Sequence, residues 1–230
     1  MLYCISMDDR LIHEILPVGL LQCNCSVVGD PVTREAIVID PGDEVDRILE
    51  VVARHGLKVN AIVNTHAHID HVGGLSRMRE ATGAPVLMHQ EDLELYGHLD
   101  VQAAMIGMRV PARTEVDGLL GEGEKICWGS FSAQVIHTPG HTRGSVCLYL
   151  PLEGSSSGPD QTPKLFAGDT LFAGSIGRTD LWGGSFEQIM RSLKTKLLEL
   201  PDETIVYPGH GPETTIGQER IRNPFVTGKF

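Results

Sequence analysis

The feature that most constrains this chain is a ten-residue run that starts at residue 65, Thr-His-Ala-His-Ile-Asp-His-Val-Gly-Gly. It follows an apolar segment at residues 59–63 that predicts a buried strand. In an extended backbone His66 and His68 point the same way. Asp70 and His71 come one turn later, so the run offers two pairs of ligands to two neighbouring points in space. Imidazole and carboxylate suit zinc or a similar first-row divalent ion, and this run therefore predicts a metal site.

Length and composition are typical of a globular domain. At 230 residues the chain suits one α/β domain with a sizeable core, and neither an internal repeat nor a linker divides it. Hydrophobic residues make up 41% of the chain and charged residues 21%, which is the usual balance for a soluble protein. We therefore expect residues 1–230 to form a single domain.

Charge and cysteine content limit the partners and the compartment. The net charge of −11 argues against nucleic acid or an anionic membrane as the partner. No apolar run approaches the roughly 18 residues of a membrane span, and residues 1–9 lack the basic start of a signal peptide. The 5 cysteines are scattered and odd in number, which argues against a disulfide framework, and Cys23 and Cys25 lie in an apolar run that favours packing within a strand. These features predict a cytoplasmic protein that acts on a small molecule, and they leave its oligomeric state open.

Strand and helix patterns alternate along the chain. The predicted strands lie at residues 14–21, 25–28, 36–40, 59–63, 85–88, 125–128, 131–136, 145–150, 164–167 and 204–207. Helices are predicted at 45–52 and 75–81, and a third begins at a capping box formed by Ser185 and Gln188. The residues expected to face inward on this third helix are Phe186, Ile189, Leu193 and Leu197. Residues 90–110 lack a clean period and are expected to form helix and loop that wall a substrate pocket, and residues 153–163 are expected to form an exposed turn.

The same arrangement, an apolar strand followed by a loop with a His or an Asp, recurs four times. Beyond the first loop it places His137 and His141 on either side of a Pro-Gly turn, Asp169 in a Gly-Asp-Thr turn and His210 in a Pro-Gly-His turn. Four such loops gathered at one end of a pair of sheets can hold two metals about 3.5–4 Å apart, which need a shared anion between them. A carboxylate has two oxygens, and Asp169 is the candidate for this bridge. Spacing alone leaves the choice between His137 and His141 open.

Four motifs together resemble the metallo-β-lactamase superfamily. They are Thr-His-x-His-x-Asp-His-x-Gly-Gly, Pro-Gly-His-Thr, Gly-Asp-Thr-Leu-Phe and Pro-Gly-His, and the resemblance extends over residues 27–225. Within the superfamily the chain is most similar to the glyoxalase II-like, or hydroxyacylglutathione hydrolase-like, enzymes. The resemblance implies an α/β fold, the four-layer αββα sandwich, with a dinuclear metal site at one edge.

The resemblance also implies a ligand set for two divalent ions, expected to be zinc, with iron or manganese as alternatives. It assigns metal one to His66, His68, His141 and Asp169, and metal two to Asp70, His71, Asp169 and His210. The family ligand is the His of Pro-Gly-His-Thr, which selects His141 and leaves His137 as a supporting or structural residue. No motif surrounds the remaining histidines, which we expect on the surface or in the core: His13, His55, His89 and His98.

The implied ligand set predicts hydrolysis by a metal-bound hydroxide. Two metal ions lower the pKa of bound water towards 7 and act as Lewis acids on the carbonyl oxygen under attack. Asp70, besides ligating, is expected to orient the nucleophile by accepting a hydrogen bond from it. A thiolate leaving group needs little protonation, so a thioester such as S-lactoylglutathione fits a site with no other clear general acid.

Departures from the glyoxalase II pattern limit the substrate assignment. Those enzymes carry a C-terminal helical domain, whereas only residues 211–230 follow the last ligand here. They also use a basic residue and a Tyr after the bridging Asp, where this chain has Arg178 and Asp180. Arg178 is therefore the one candidate for a substrate contact.

Other functions remain open at this stage. A mononuclear-iron persulfide dioxygenase shares the fold and the Gly-Arg-Thr-Asp sequence at 177–180, and its iron would use His66, His141 and Asp169. A lactonase is a further alternative. A β-lactamase is disfavoured because those enzymes generally lack the bridging Asp. A non-catalytic metal-binding module is disfavoured, because the loss of metal ligands would have suggested it and none of the ligands is lost here.

Overall fold

The computed structural model describes residues 11–151 and 162–229. The sequence predictions for residues 1–9, and for most of the turn expected at 153–163, lie outside the described residues. Two six-stranded sheets account for most of the strands.

The first sheet is built from the N-terminal half of the chain. Its strands lie in chain order: β1 (Ile12–Val18), β2 (Cys23–Gly29), β3 (Glu35–Ile39), β4 (Lys58–Val63), β5 (Val86–His89) and β6 (Gly118–Leu120). The first three strands pair antiparallel, and β3 to β6 pair parallel. Parallel neighbours need crossover connections, which helices supply.

The second sheet is built from the C-terminal half. Its strands and a small separate hairpin are β7 (Lys125–Trp128), β8 (Phe131–His137), β9 (Val146–Leu150), β10 (Lys164–Gly168), β11 (Leu171–Phe172), β12 (Ser175–Ile176), β13 (Ile205–Pro208) and β14 (Thr214–Thr215). The sheet order is β14-β13-β10-β9-β8-β7, and β11 pairs with β12 alone. Strands β10 and β13 are parallel, so both end at the same edge of the sheet.

Eight α-helices complete the described part of the chain. They are α1 (Val45–Arg54), α2 (Ile69–Val72), α3 (Leu75–Thr82), α4 (Leu93–Gly97), α5 (Leu99–Ile106), α6 (Phe186–Thr195), α7 (Ile216–Arg222) and α8 (Pro224–Thr227). Single 3-10 turns occur at Gln90–Asp92 and Leu197–Glu199. Over residues 11–151 and 162–229, no helix has both the length and the apolar character needed to cross a bilayer.

Strand alternation divides the apolar residues among three cores and so produces four layers. In β3, Val38 packs towards Ile48 of α1, whereas Ile37 packs between the two sheets. In β10, Phe166 joins the core between the sheets and Leu165 packs on the α6 side. Because successive side chains of a strand point to opposite faces, each central strand serves two cores. This is the αββα sandwich, and the expected α/β fold is confirmed.

The differences from the predicted elements occur where the local signal is weak. Strand β1 ends at Val18, because the following Leu20 lies in a turn and is 75% exposed. Phe186, expected to face inward on α6, is 55% exposed, so this expectation was wrong. Ser185 does cap α6 by accepting a hydrogen bond from the Gln188 N–H, and Phe186 is the first residue of the helix.

Candidate metal centre

Four loops meet at one edge of the sandwich. They follow β4, β8, β10 and β13, the strands whose ends carry the predicted ligands. Backbone hydrogen bonds join these loops. The Val146 N–H donates to the Thr65 carbonyl at 2.8 Å, which links the two sheets, and the Gly209 N–H donates to the Gly168 carbonyl at 2.7 Å. Backbone hydrogen bonds therefore help to set the spacing of the loops that carry the ligands.

Three imidazoles form the first group of metal-competent atoms. The ring nitrogens of His66, His68 and His141 lie within 4.8 Å of one another. His68 Nδ1 is 2.8 Å from His141 Nε2, and His66 Nε2 is buried without a hydrogen-bond partner. A buried nitrogen that lacks a partner is costly unless it coordinates something. We call this the three-imidazole group.

A carboxylate and two imidazoles form the second group, which we call the Asp70 group. It consists of Asp70, His71 and His210, whose ligand atoms also lie within 4.8 Å of one another. His210 Nε2 is 3.1 Å from Asp70 Oδ2 and 3.3 Å from His71 Nε2. Its ligands come from α2 and from the loop after β13, so both sheets contribute to it.

Asp169 lies between the two groups. Its Oδ2 atom is 3.5 Å from His141 Nε2 and 3.8 Å from His210 Nε2, and its Oδ1 atom is 3.5 Å from His71 Nε2. Oδ1 is buried and accepts no hydrogen bond from the described residues. With two orphaned buried atoms, one here and one on His66, and donors typical of first-row divalent ions, the residues fit a pair of metal ions that share this carboxylate.

The two groups favour different protonation states. Burial, helped by the neighbouring imidazoles, lowers the pKa of His66 well below its ordinary value and that of His68 to about 3. Burial acts in the same direction on His71, but the Cys23 sulfur and the surrounding carboxylates raise its pKa well above the ordinary value. His66 and His68 are therefore neutral at pH 7 and able to donate lone pairs. The Asp70 group holds a proton that an arriving ion has to displace.

Asp40 supports the Asp70 group and was not singled out by the sequence. It is 2% exposed, and its Oδ2 atom accepts hydrogen bonds from His71 Nδ1 at 3.0 Å and from the Thr65 hydroxyl at 2.6 Å. The Thr65 N–H donates to its Oδ1 at 2.7 Å. Since Nδ1 of His71 donates to Asp40, Nε2 is left to face the metal centre. A signal was present, because Asp40 follows a buried strand just as the predicted ligands do.

Two further contacts orient imidazoles of the first group. His66 Nδ1 donates to the Thr65 hydroxyl oxygen at 3.1 Å, and His141 Nδ1 donates to the Arg178 carbonyl at 2.8 Å. In both residues this leaves Nε2 directed at the site. Arg178 thus contributes through its backbone, which no side-chain pattern could have revealed.

The site has no room for a side chain at Gly209. A Cβ atom there would collide with Asp169 Oδ1 and would lie 2.8 Å from His71 Cε1. The Pro-Gly-His sequence therefore needs its glycine for the close approach of the backbone to the bridging carboxylate.

The other predicted residues lie outside the two groups. His137 donates through Nε2 to the Arg143 carbonyl at 2.8 Å and stacks on His89 with 4.0 Å between ring centroids. The side chain of Arg178 is exposed and forms a two-point ion pair with Asp180, at 2.8 and 2.9 Å. Its expected role as a substrate contact stays a prediction.

The remaining histidines have local structural partners. His13 is half-buried against the rings of Phe166 and Tyr207, and this burial lowers its pKa to about 4. His55 bonds Glu14 at 2.8 Å. Contacts of this kind are typical of histidines that pack in the core or on the surface of a protein.

A model of the metallo-beta-lactamase superfamily matches residues 18–210. The chain belongs to this superfamily, which confirms the resemblance found in its motifs. Family membership, together with the His and Asp cluster, makes the protein a metallohydrolase that uses divalent metal ions.

Three relatives show the extent of the sequence similarity. An uncharacterized protein of Aquifex aeolicus is 44% identical over 94% of this chain and 97% of its own length. Hydroxyacylglutathione hydrolase GloC of Haemophilus influenzae is 34% identical over 94% of this chain and 98% of its own length. The hydroxyacylglutathione hydrolase of Gloeobacter violaceus is 38% identical over 85% of this chain, which is 65% of its own length. The match therefore extends over nearly all of GloC and about two thirds of the Gloeobacter enzyme.

Solved structures show the same fold. BLEG-1 B3 metallo-beta-lactamase superposes with a TM-score of 0.84 at 37% identity, covering 94% of this chain and 100% of that one. TTHA1623 in a di-iron-bound form has a TM-score of 0.78 at 39% identity, with 92% and 99% covered. ETHE1 from Myxococcus xanthus has a TM-score of 0.76 at 31% identity, with 95% and 86% covered.

Proposed function

We propose that this metallo-beta-lactamase superfamily member hydrolyses thioesters such as S-lactoylglutathione at a dinuclear centre, with zinc as the metal. The observation that carries the proposal is the intact set of seven donors, arranged as two groups around one carboxylate. The seven are His66, His68, Asp70, His71, His141, Asp169 and His210. The similarity to GloC, a named hydroxyacylglutathione hydrolase, supports the substrate class.

When bound, a pair of divalent ions supplies water that is activated at neutral pH and a Lewis acid for the substrate carbonyl. Asp169, which lies between the two groups, would be shared by the two ions, and its negative charge would offset the repulsion between them. Asp70 is 14% exposed, and its proposed role is to accept a hydrogen bond from the attacking water and so orient it. These two carboxylates and the five imidazoles are the machinery that we assign to the reaction.

The nearby cysteine does not take part as a nucleophile. Cys23 Sγ lies 3.4 Å from His71 Nδ1, but burial raises the pKa of its thiol to about 12. A neutral thiol is a poor nucleophile. A thioester suits this site because its leaving thiolate departs without a general acid.

Substrate contacts are proposed from the segments that surround the loops. Gln102 of α5 accepts a hydrogen bond from the Ile69 N–H at 2.9 Å and donates to the Ala67 carbonyl at 3.2 Å, so α5 packs directly against the metal loop. Its neighbour Met105 is 71% exposed. We propose residues 90–110 as one wall of the substrate pocket and Arg178 as its cationic contact.

A second candidate function is persulfide oxidation at a single iron. The Gly-Arg-Thr-Asp sequence at 177–180 and the similarity to the ETHE1 structure support it. That function would need one iron on His66, His141 and Asp169. A lactonase is a third candidate, for which no separate observation speaks.

The test combines metal analysis with an assay. Protein purified without added metal should contain about two ions per chain and should hydrolyse S-lactoylglutathione. We expect Asp169→Ala to lower hydrolysis by more than about 100-fold, because loss of a shared ligand should exceed the 10–100-fold effect typical of outer-shell contacts. Asp46→Ala, an exposed carboxylate on α1, serves as the control and should keep wild-type activity.

Each alternative has its own outcome. About one iron per chain, with no hydrolysis and with oxygen uptake on glutathione persulfide, would establish the dioxygenase. Two ions without thioester turnover would overturn the thioesterase and direct the search to lactones. Nitrocefin should also be assayed because of the similarity to BLEG-1, and we expect it to be hydrolysed poorly.

A further inference from the structure

Another buried carboxylate lies beside the metal loops, although no metal-ligand pattern in the sequence marks it. Asp92 is 1% exposed and ends the 3-10 turn after β5. Its Oδ2 atom accepts hydrogen bonds from the Ala67 N–H and the Thr142 hydroxyl, both at 2.8 Å. Its Oδ1 atom accepts one from the Gly144 N–H at 2.7 Å. All three donors are uncharged and belong to other segments of the chain.

The positions of these donors relate Asp92 to the three-imidazole group. Ala67 stands between His66 and His68, and Thr142 follows His141. A single oxygen atom of Asp92 therefore joins the loop that carries two of the imidazoles to the loop that carries the third. Within residues 11–151 and 162–229, one backbone hydrogen bond also links these parts of the chain near the ligands, from the Val146 N–H to the Thr65 carbonyl.

Asp92 makes these hydrogen bonds instead of capping the N-terminus of α4. It occupies the N-cap position of α4, where an Asp side chain usually accepts a hydrogen bond from the helix, yet it makes no such bond. The opposing segment makes room for it, since a Cβ atom on Gly144 would lie 2.7 Å from Asp92 Cγ. The local sequence thus forgoes a helix cap and uses a glycine to let this carboxylate reach the metal loops.

We propose that Asp92 is a positioning residue of the metal centre, whose carboxylate holds the loops around residues 67 and 142 so that three imidazoles converge on one ion. This inference rests on the ligand set of the proposed function. It assigns Asp92 no contact with substrate or metal. Its effect is exerted through the loop backbone.

Only an acceptor without donors can make the three contacts. Asparagine in the same place would turn an NH2 group either towards the Gly144 N–H or towards the Ala67 N–H and the Thr142 hydroxyl. In both orientations at least one backbone donor faces another donor and loses its partner. Asp92→Asn therefore keeps the size of the side chain and disturbs the link between the loops.

The chain offers a matched control at the opposite end of the sandwich. Asp30 is 0% exposed and also accepts only uncharged donors. Its Oδ1 atom accepts from the Val32 and Thr33 N–H groups, and its Oδ2 atom accepts from the N–H and hydroxyl of Ser130. Asp30→Asn disturbs a buried carboxylate in the same way but away from the ligands.

The experiment is graded chelator extraction of the purified, metal-loaded proteins, with ions counted at each chelator concentration. For Asp92→Asn we expect one of the two ions to leave at about 10–100-fold lower chelator concentration, the range typical of outer-shell partners of ligands. Cobalt substitution should show a changed visible spectrum for that ion alone. Asp30→Asn should release both ions as the wild type does, although its urea midpoint falls.

The proposal is overturned if Asp92→Asn keeps both ions at wild-type chelator concentrations, or if Asp30→Asn loses an ion equally easily. Thr142→Val is the milder variant in case Asp92→Asn does not fold. It keeps the carboxylate and removes one donor, and we expect several-fold easier release of the same ion; unchanged release would contradict the role of Asp92. Extraction is measured without substrate, so a failure of thioester hydrolysis leaves this test intact.

Discussion

Asp92 and Asp30 are both almost inaccessible to solvent at opposite ends of the sandwich, but Asp92 lies deeper among protein atoms, and the balance between burial and hydrogen bonding differs between them. Asp30 follows β2, whose first residue, Cys23, lies beside His71, so the seven residues of this strand separate Asp30 from the metal centre by roughly 20 Å. There, burial is outweighed by four hydrogen bonds, and the pKa of Asp30 falls to about 2. At the metal end, burial outweighs three hydrogen bonds and raises the pKa of Asp92.

The difference teaches what each carboxylate is for. A carboxylate whose pKa falls on folding is better solvated by the protein than by water, and it stabilises the fold at neutral pH. A carboxylate whose pKa rises on folding is less well solvated by the protein than by water when it is charged, and it lowers the stability of the fold at neutral pH. Asp30 thus serves stability, whereas Asp92 is tolerated at a cost, as is common for groups that organise a functional site.

The largest expected effect that would sharpen this comparison comes from the backbone beside Asp169. Gly209→Ala introduces a Cβ atom that collides with the bridging carboxylate. We expect hydrolysis to fall by more than about 100-fold and at least one ion per chain to be lost, which metal analysis would detect. Gly97→Ala is the control for metal content, since a Cβ there meets nothing within 4 Å. Wild-type metal content in Gly209→Ala would show that the loop adapts and would weaken the assigned bridge.

A smaller effect should distinguish the two halves of the metal end. Asp40→Asn disturbs the partner of His71, so the ion of the Asp70 group should be held about 10–100-fold more weakly. Chelator should then remove the ion of the Asp70 group first. In Asp92→Asn it should remove the ion of the three-imidazole group first. Cobalt spectra identify which ion leaves, and the same order in both variants would break the assignment of each carboxylate to its own group.

The smallest expected effect is the acid dependence of the stability contributed by Asp30, at the end of the sandwich far from the metal centre. The folded-state pKa of Asp30, about 2, lies below the ordinary value of 3.8, so its stabilising contribution is complete above about pH 4 and is lost as the pH falls towards 2. The shift corresponds to about 2 kcal/mol. Urea unfolding of wild type and Asp30→Asn should therefore differ by about that much more at pH 7 than at pH 2. A difference that does not change with pH would mean that hydrogen bonds to the ionised carboxylate are not the source of the stability.

Several sequence predictions are confirmed, and others stay predictions. The superfamily and the αββα fold are confirmed, and so is the use of divalent metal in a hydrolase. The single domain, the cytoplasmic location, zinc as the metal and the roles of the individual site residues stay predictions. For the site, the structure adds the distances on which the proposed experiments depend.

Strong periodic signals explain which elements were predictable. Strands such as β3 and β10 bury side chains in two cores, so almost all of their residues are apolar, and such a continuous apolar run is visible in the chain itself. The missed strands β6, β11, β12 and β14 have two or three residues each, too few for a period to appear. Their pairing depends on neighbours that are distant in sequence. The helical spacing of Phe186 predicted an inward side chain, but Phe186 is the first residue of α6 and is exposed. Spacing along a helix is a weaker guide at the end of the helix than in its middle.

The sequence by itself determined the chemistry of the centre, because ligand type and strand-end position are local properties that a motif carries. Only the tertiary structure decided which groups hold those ligands in place. Asp40 shares the strand-end position of the predicted ligands but lies in no ligand motif, and Asp92 lies in no motif at all. Their partners lie 25 to 52 positions away along the chain. A hydrogen bond between such segments has no local sequence signal, since it exists only after two sheets have paired and their loops have met. The donors of the metal site are therefore a property of the sequence, and the support behind each imidazole is a property of the fold.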